Sequence, residues 1–215
     1  MNYIEIKKIS HNLIYDNTVI LKYTIEYPQI INSQYILGQR NFNIYNLKIV
    51  NDLKQYIFTE LYSSAKDVYK YNKENGYPIM VFEVYVSCNI TENYNNIVSL
   101  YNDKYIFEGG AHGTTMRTSQ NWDLAVGMQF DLSRLFPNNQ YYIINILKEI
   151  NKQIKEQIEK EGENIYFKDY CQLVLENFNL KNFYMFPNYF EVFFQQYDIA
   201  PYSTGIPTFK IKYNI

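Results

Sequence analysis

Two stretches of helical periodicity set among many alternating runs predict an α+β fold, with antiparallel or mixed sheets packed by two long helices. Apolar residues recur at three- and four-residue steps at Leu47, Val50, Leu53, Ile57, Leu61, Ala65 and Val68, and again at Ile143, Leu147, Ile150, Ile154 and Ile158. The runs between them alternate with a period of two and are joined by short turn-like connections, as antiparallel strands allow. The order strands–helix–strands occurs twice. It divides the chain into halves at 1–98 and 99–215 that are expected to form one compact unit.

Along the chain, Tyr3 to Ile9 and Thr18 to Tyr27 alternate as half-buried strands, and Pro28 ends the second or marks an edge. Ile30 to Leu37 reads as a short strand or loop. A helix follows between Asn41 and Asn75, with Asn41, Asn43 and Asn46 as start caps and Gly76 as its stop. Met80 to Ile90 and Ile97 to Phe107 read as a hairpin turning at Asn93, Asn95 and Asn96. Thr114 to Trp122 is extended, Gly127 turns the chain, and Ser133 to Phe136 is a short helical turn. The second long helix runs from about Asn139 to Glu161, stops at Gly162, and places Glu156 four residues from Lys160 on its exposed side. Asp169 to Asn177 reads as a shorter helix. Phe183 to Pro187, Tyr189 to Tyr197 and Thr208 to Tyr213 read as extended pieces, broken by Asp198 to Pro207.

The 215 residues are 47% hydrophobic and 20% charged, enough for a real core and unlike a disordered chain. Aromatics reach 18%, with 24 Tyr and 14 Phe against one Trp. Tyrosines stack on sugars and fill interfaces. Lys, Asn, Ile and Tyr are abundant together, however, and Arg occurs only at Arg40, Arg117 and Arg134. That is the imprint of A/T-rich codons, so the aromatic total assigns no function. A net charge of −2 lacks the clustered positive field of a nucleic-acid protein. The N-terminus shows no signal peptide, and no window approaches the ~18 apolar residues of a membrane span. The compartment stays open: cytosolic, or beyond a leader already removed. Cys88 and Cys171 form no disulfide framework and are expected as buried free thiols.

Two segments carry candidate chemistry. In Phe107-Glu108-Gly109-Gly110-Ala111-His112-Gly113, small residues flank a histidine and let the backbone approach closely or adopt positive φ. His112 there is a base, a ligand or a hydrogen-bond donor, or else part of a tight turn bonding its neighbouring backbone. The segment lacks the ending of a phosphate loop. In Tyr197-Asp198-Ile199-Ala200-Pro201-Tyr202-Ser203-Thr204-Gly205, a strand end gives way to a Pro-led loop. Tyr202 would stack on a partner with Ser203 and Thr204 supplying hydrogen bonds, or tuck onto the core. Trp122, the only tryptophan, follows the first segment and is expected, with Tyr202, to be a functional aromatic.

Catalytic constellations are weak. There is no CxxC or HExxH spacing for a metal and no Gly-x-Ser-x-Gly elbow. Cys88 and Cys171 lie in a strand and a helix that signal no activated thiolate. The remaining enzymatic reading is a cell-wall glycan hydrolase or transferase centred on His112, Glu108 and Asp123. No metal, cofactor or catalytic residue is assigned.

Glu108-Gly109-Gly110-Ala111-His112-Gly113, Asn121-Trp122-Asp123 and Gly127 leading into Phe130-Asp131-Leu132 and Leu135-Phe136 resemble the RsiV-like family of anti-sigma-factor sensor domains. Phe183-Tyr184, Tyr197-Asp198-Ile199-Ala200-Pro201-Tyr202 and Gly205 have the same look. The N-terminal half is similar to the accessory domain that also precedes the catalytic domain of PdaC deacetylases. The resemblance implies a PdaC-type accessory domain at 1–98 and an RsiV-type domain at 99–215. It further implies a non-catalytic, extracytoplasmic binding or sensor module for a lysozyme-like protein or a peptidoglycan fragment. Loops 108–123 and 197–207 would face the partner through Glu108, His112, Trp122, Asp123, Pro201, Tyr202 and Ser203. Gly109, Gly110, Gly113, Gly127 and Gly205 would shape those loops. Deacetylase chemistry belongs to a separate domain and does not carry over, and signalling by cleavage does not follow without a membrane helix and sigma-binding segment. An intracellular protein-interaction domain is the remaining alternative.

Overall fold

The computed structural model describes residues 2–215. The element order confirms the α+β class, with a six-stranded mixed sheet and a three-stranded sheet packed with helices. The sequence places one cut between residues 98 and 99, whereas the contacts group residues into two interleaved units. The first comprises Met1–Asn89, Asn102–Met116 and Leu124–Gly127, and the second Ile90–Tyr101, Arg117–Asp123 and Met128–Ile215.

The first unit opens with β1 (Tyr3–Tyr15) and β2 (Thr18–Asn32), an antiparallel ribbon longer than the alternation alone marks out. Asp16 and Asn17 join them with φ of 50° and 57°, the left-handed pair that suits the strand twist of a two-residue hairpin. β2 then pairs in parallel with β3 (Phe82–Tyr94), Leu21 opposite Phe82 through Ile25 opposite Val86. A parallel pair needs a long crossover, and the helical segment supplies it. That segment is α1 (Ile36–Tyr56), a π turn (Ile57–Leu61) and α2 (Tyr62–Asn75), closed by Gly76 in a left-handed cap. It begins five residues before the expected Asn41, so Ile36 and Leu37 are helical rather than extended. No side chain caps its start. Tyr23, Ile25, Phe82, Val84 and Val86 pack against Val50, Ile57, Leu61, Ala65 and Tyr69 in this unit's core. Leu47 of the expected stripe is partly exposed, while Phe42 and Asn46 are buried.

β4 (Ile97–Phe107) and β5 (Thr114–Asp123) continue the six-stranded sheet, and β6 (Met128–Gln129) completes the order β1-β2-β3-β4-β5-β6. In the second unit α3 (Tyr142–Glu161) and α4 (Tyr170–Asn177) accompany the sheet β7 (Phe183–Phe186), β8 (Tyr189–Phe193) and β9 (Thr208–Lys212), all antiparallel. Ile146, Ile150 and Ile154 are the buried line of α3 and meet Phe183, Phe190, Val192, Phe209 and Ile211 in one core. Ile143 and Ile158 flank that line, and Glu156 lies 3.7 Å from Lys152 instead of pairing with Lys160. β8 ends at Phe193, four residues short of the expected Tyr197.

Candidate functional site

The glycine–histidine loop belongs to the first unit. Gly109 and Gly110 both have φ of 93°, a region closed to most side chains, so the chain turns sharply after Phe107. At Gly113 the demand is space: a Cβ there would lie 2.5 Å from the Ile106 carbonyl oxygen and from the Tyr105 ring. Glu108 and His112 are exposed and line one shallow depression of about 300 Å³ with Lys104, Ile106, Thr114 and Met116. His112 Nδ1 lies 3.2 Å from the Gly113 carbonyl oxygen, and the Tyr56 hydroxyl lies 3.5 Å from Glu108. The loop therefore displays His112 and also ties it to its own backbone.

Trp122 and Asp123 lie at the end of β5 in the second unit, and they are not displayed. Each is 4% exposed. The Trp122 indole N–H donates to Gln120 at 2.9 Å, which satisfies the one polar atom of the ring as burial requires. Asp123 accepts from Arg134 and from Asn96 Nδ2 at 2.7 Å. These two side chains, expected to face a partner, are buried, and their polar atoms are engaged within the chain. Asn121 beside them accepts from Ser99 Oγ at 2.7 Å and donates to the Phe183 carbonyl at 2.8 Å. Further along β5, Arg117 lies over the Tyr101 ring at 4.1 Å and the Tyr184 ring at 5.7 Å, and Gln195 bonds both its backbone N–H and its carbonyl. Burial pushes the Tyr184 hydroxyl well above its ordinary value, and its bond to Glu191 adds to the shift. The contacts of Arg117 with Tyr184 and Gln195 are not legible from spacing, because these partners lie 67 and 78 residues away.

The proline–tyrosine loop is also in the second unit, and it is pinned from several sides. The Gln195 N–H donates to Asp198 at 2.7 Å, Asn177 Nδ2 to the Asp198 carbonyl at 3.3 Å, and the Phe167 N–H to the Ile199 carbonyl at 3.1 Å. Ile199 and Ala200 are fully buried, and Thr204 Oγ1 donates to the Ile165 carbonyl at 2.7 Å. On that support Pro201 and Tyr202 are half-buried, and Ser203 is exposed. Tyr202 opens a short 3₁₀ turn ended by Gly205 at φ 75°. Its ring lies 5.9 Å from that of Tyr197, at 34°. Tyr197 is 53% exposed and sits at φ 68°, a conformation that is an outlier for a bulky residue. Tyr197 is not a candidate by sequence, because its positive φ has no sequence signature.

The Asp123 carboxylate is engaged by a guanidinium and an amide. Burial, with Glu26 nearby, pushes the Cys88 thiol up to about 12, so it carries little thiolate. Cys171 is a free thiol as expected but is exposed on α4 rather than buried. Among the described residues, no three His, Cys, Asp or Glu side chains come together to hold a metal ion, and no helix is long and apolar enough to cross a membrane.

Comparison with known proteins finds matches over two stretches of the sequence. Residues 14–115 match the family described as deacetylase PdaC, and residues 133–214 match the protein family of unknown function DUF3298. No curated protein matches the chain. A DUF3298 family member from Bacteroides fragilis superimposes with a TM-score of 0.73 at 16% identity, over 99% of this chain and 91% of that one. A DUF3298 family protein from Pseudomonas aeruginosa gives 0.67 at 15% identity, over 100% and 92%. At these identities the likeness is one of fold. The chain is thus similar to the PdaC family over 14–115 and to DUF3298 over 133–214.

Proposed function

We propose that the chain is a non-catalytic binding or sensor module of the cell envelope, recognising a lysozyme-like protein or a peptidoglycan fragment. The observation that carries this reading is the Tyr197–Tyr202 pair on the pinned 197–207 loop. Two amphipathic rings held on a rigid support offer a large contact area with little side-chain entropy to lose. Ser203 adds an exposed hydroxyl beside them. Glu108 and His112, on the loop of the other unit, are a second displayed feature. Trp122 and Asp123, both buried, are left out of this contact surface.

Calorimetric titration of the full chain with lysozyme and with soluble peptidoglycan fragments tests the proposal. Saturable heat is expected with one of them. Tyr197→Ala combined with Tyr202→Ala should weaken that binding about tenfold or more, the scale of losing an aromatic anchor. Absence of heat with both ligands, or turnover of the peptidoglycan fragments, overturns the reading.

A further inference from the structure

The outer edge of the three-stranded sheet carries an inference independent of the loops. In the order β7-β8-β9, strand β9 has a neighbouring strand on one side only. The Pro207 carbonyl accepts from Phe194 N–H at 3.0 Å, so Pro207 faces β8, and Phe209 and Ile211 follow with the strand alternation. Thr208, Lys210 and Lys212 therefore turn their peptide groups away from β8. Gln153 of α3 confirms the direction, because its Nε2 donates to the Lys210 carbonyl at 2.8 Å. The N–H groups of Lys210 and Lys212 and the carbonyls of Thr208 and Lys212 have no partner among the described residues.

A groove of about 650 Å³ runs along this edge between β9 and α3. Lys152, Lys160, Lys210 and Lys212 line it, against Glu149 and Glu156. Lys152 lies 3.9 Å from Glu149 and 3.7 Å from Glu156, so these three groups leave a single negative charge against the other three lysines. Lys160, Lys210 and Lys212 have no carboxylate at ion-pair distance among the described residues. The Lys210 ammonium rests over the Tyr189 ring at 3.7 Å. The groove is thus locally basic in a protein whose net charge is −2.

We infer that β9 and its groove take an extended acidic peptide segment of a partner protein as a fourth strand. Unpaired main-chain groups at a sheet edge supply strand addition, and the lysines select acidic side chains at alternate positions of the incoming strand. Gln153 occupies one acceptor in the meantime and would swing aside. An eight-residue fluorescein-labelled peptide alternating Glu and Val, titrated with the full chain and followed by anisotropy, tests this. Saturable binding is expected, weakened about tenfold or more by Lys210→Glu with Lys212→Glu, since charge pairs at an interface set both affinity and register. Circular dichroism checks the fold of that variant, and Lys160→Glu on the exposed face of α3 is a second variant should β9 tolerate the first poorly. The same peptide N-methylated at alternate amides keeps every charge but loses strand donors, and it should not bind. No binding by the unaltered peptide leaves the lysines as guards of a bare edge and overturns the inference. Equal binding by the N-methylated peptide, or by polygalacturonate, overturns it too, because charge alone would then suffice.

Discussion

Asn121 shows how a residue that looks like a recognition group serves as a bolt. Its Oδ1 accepts from Ser99 Oγ and its Nδ2 donates to the Phe183 carbonyl, and Ser99 Oγ in turn accepts the Met185 N–H at 2.7 Å. Both residues are buried, at 3% and 0% exposure, so no water replaces a lost partner. Asn121→Ala would strand the Ser99 hydroxyl and the Phe183 carbonyl. Each orphaned group costs about 1–3 kcal/mol, so a loss of about 3 kcal/mol is expected in urea unfolding. A loss below about 1 kcal/mol would show that the network relaxes or hydrates. The motif Asn121-Trp122-Asp123 was visible in the sequence, but its direction was not. Gln120, Asn121, Trp122 and Asp123 are all buried, which breaks the in–out alternation of a strand. A run of polar residues around one tryptophan has the composition of an exposed loop. Only the groups that satisfy it reveal otherwise, and Asn96, Ser99, Arg134 and Phe183 lie elsewhere in the chain.

The long helical crossover was legible as an element because its apolar stripe repeats over many turns. Its irregularity has a readable cause as well. Ile57, Leu61, Ala65 and Tyr69 are buried at a strict spacing of four, which on a plain α-helix drifts around the axis. The π turn at Ile57–Leu61 is wider than an α-helical turn, and it brings that spacing back toward one face. The start of α1 was not legible, since it has no side-chain cap and Ile36 and Leu37 are 72% and 59% exposed. What fixes that end is a close approach. A Cβ on Gly38 would lie 2.1 Å from the Leu124 carbonyl oxygen and 2.5 Å from Leu124 Cα. In the interior of an exposed helix, replacing Gly with Ala stabilises by about 1 kcal/mol. Here the sign reverses, because backbone has to move. Gly38→Ala is expected to destabilise by about 3 kcal/mol, as overpacking does, with its midpoint lowered in thermal and urea unfolding. An unchanged or raised midpoint would mean that α1 and the 124–127 turn are not held together as the structure has them.

At the scale of the whole molecule, the fold class follows from periodicity, but the way the chain is shared between the two units does not. Local patterns mark where a strand runs and are blind to a change of unit within it. β3, β4 and β5 each contain residues of both units, because the divisions fall at 89/90, 101/102 and 116/117 inside them. A single cut at 98/99 is consequently not neutral for either unit. The fragment 1–98 would lose Ile106, which packs on the first unit's core. It would also lose Leu124, against which Gly38 sits, and Gly127, whose carbonyl accepts from Asn41 at 2.9 Å. The fragment 99–215 would lose Asn96, a donor to the buried Asp123, and Thr91, which bonds Ser99. Stability of a domain is a small difference between large terms, so losses of this kind remove cooperativity as well as a few contacts. Each fragment expressed alone is expected to lack a cooperative thermal transition and to give a poorly dispersed amide spectrum, while the full chain gives a sharp one. A cooperative melt from fragment 1–98 by itself would show that the first unit needs neither 102–116 nor 124–127, and that the single cut describes how this chain folds.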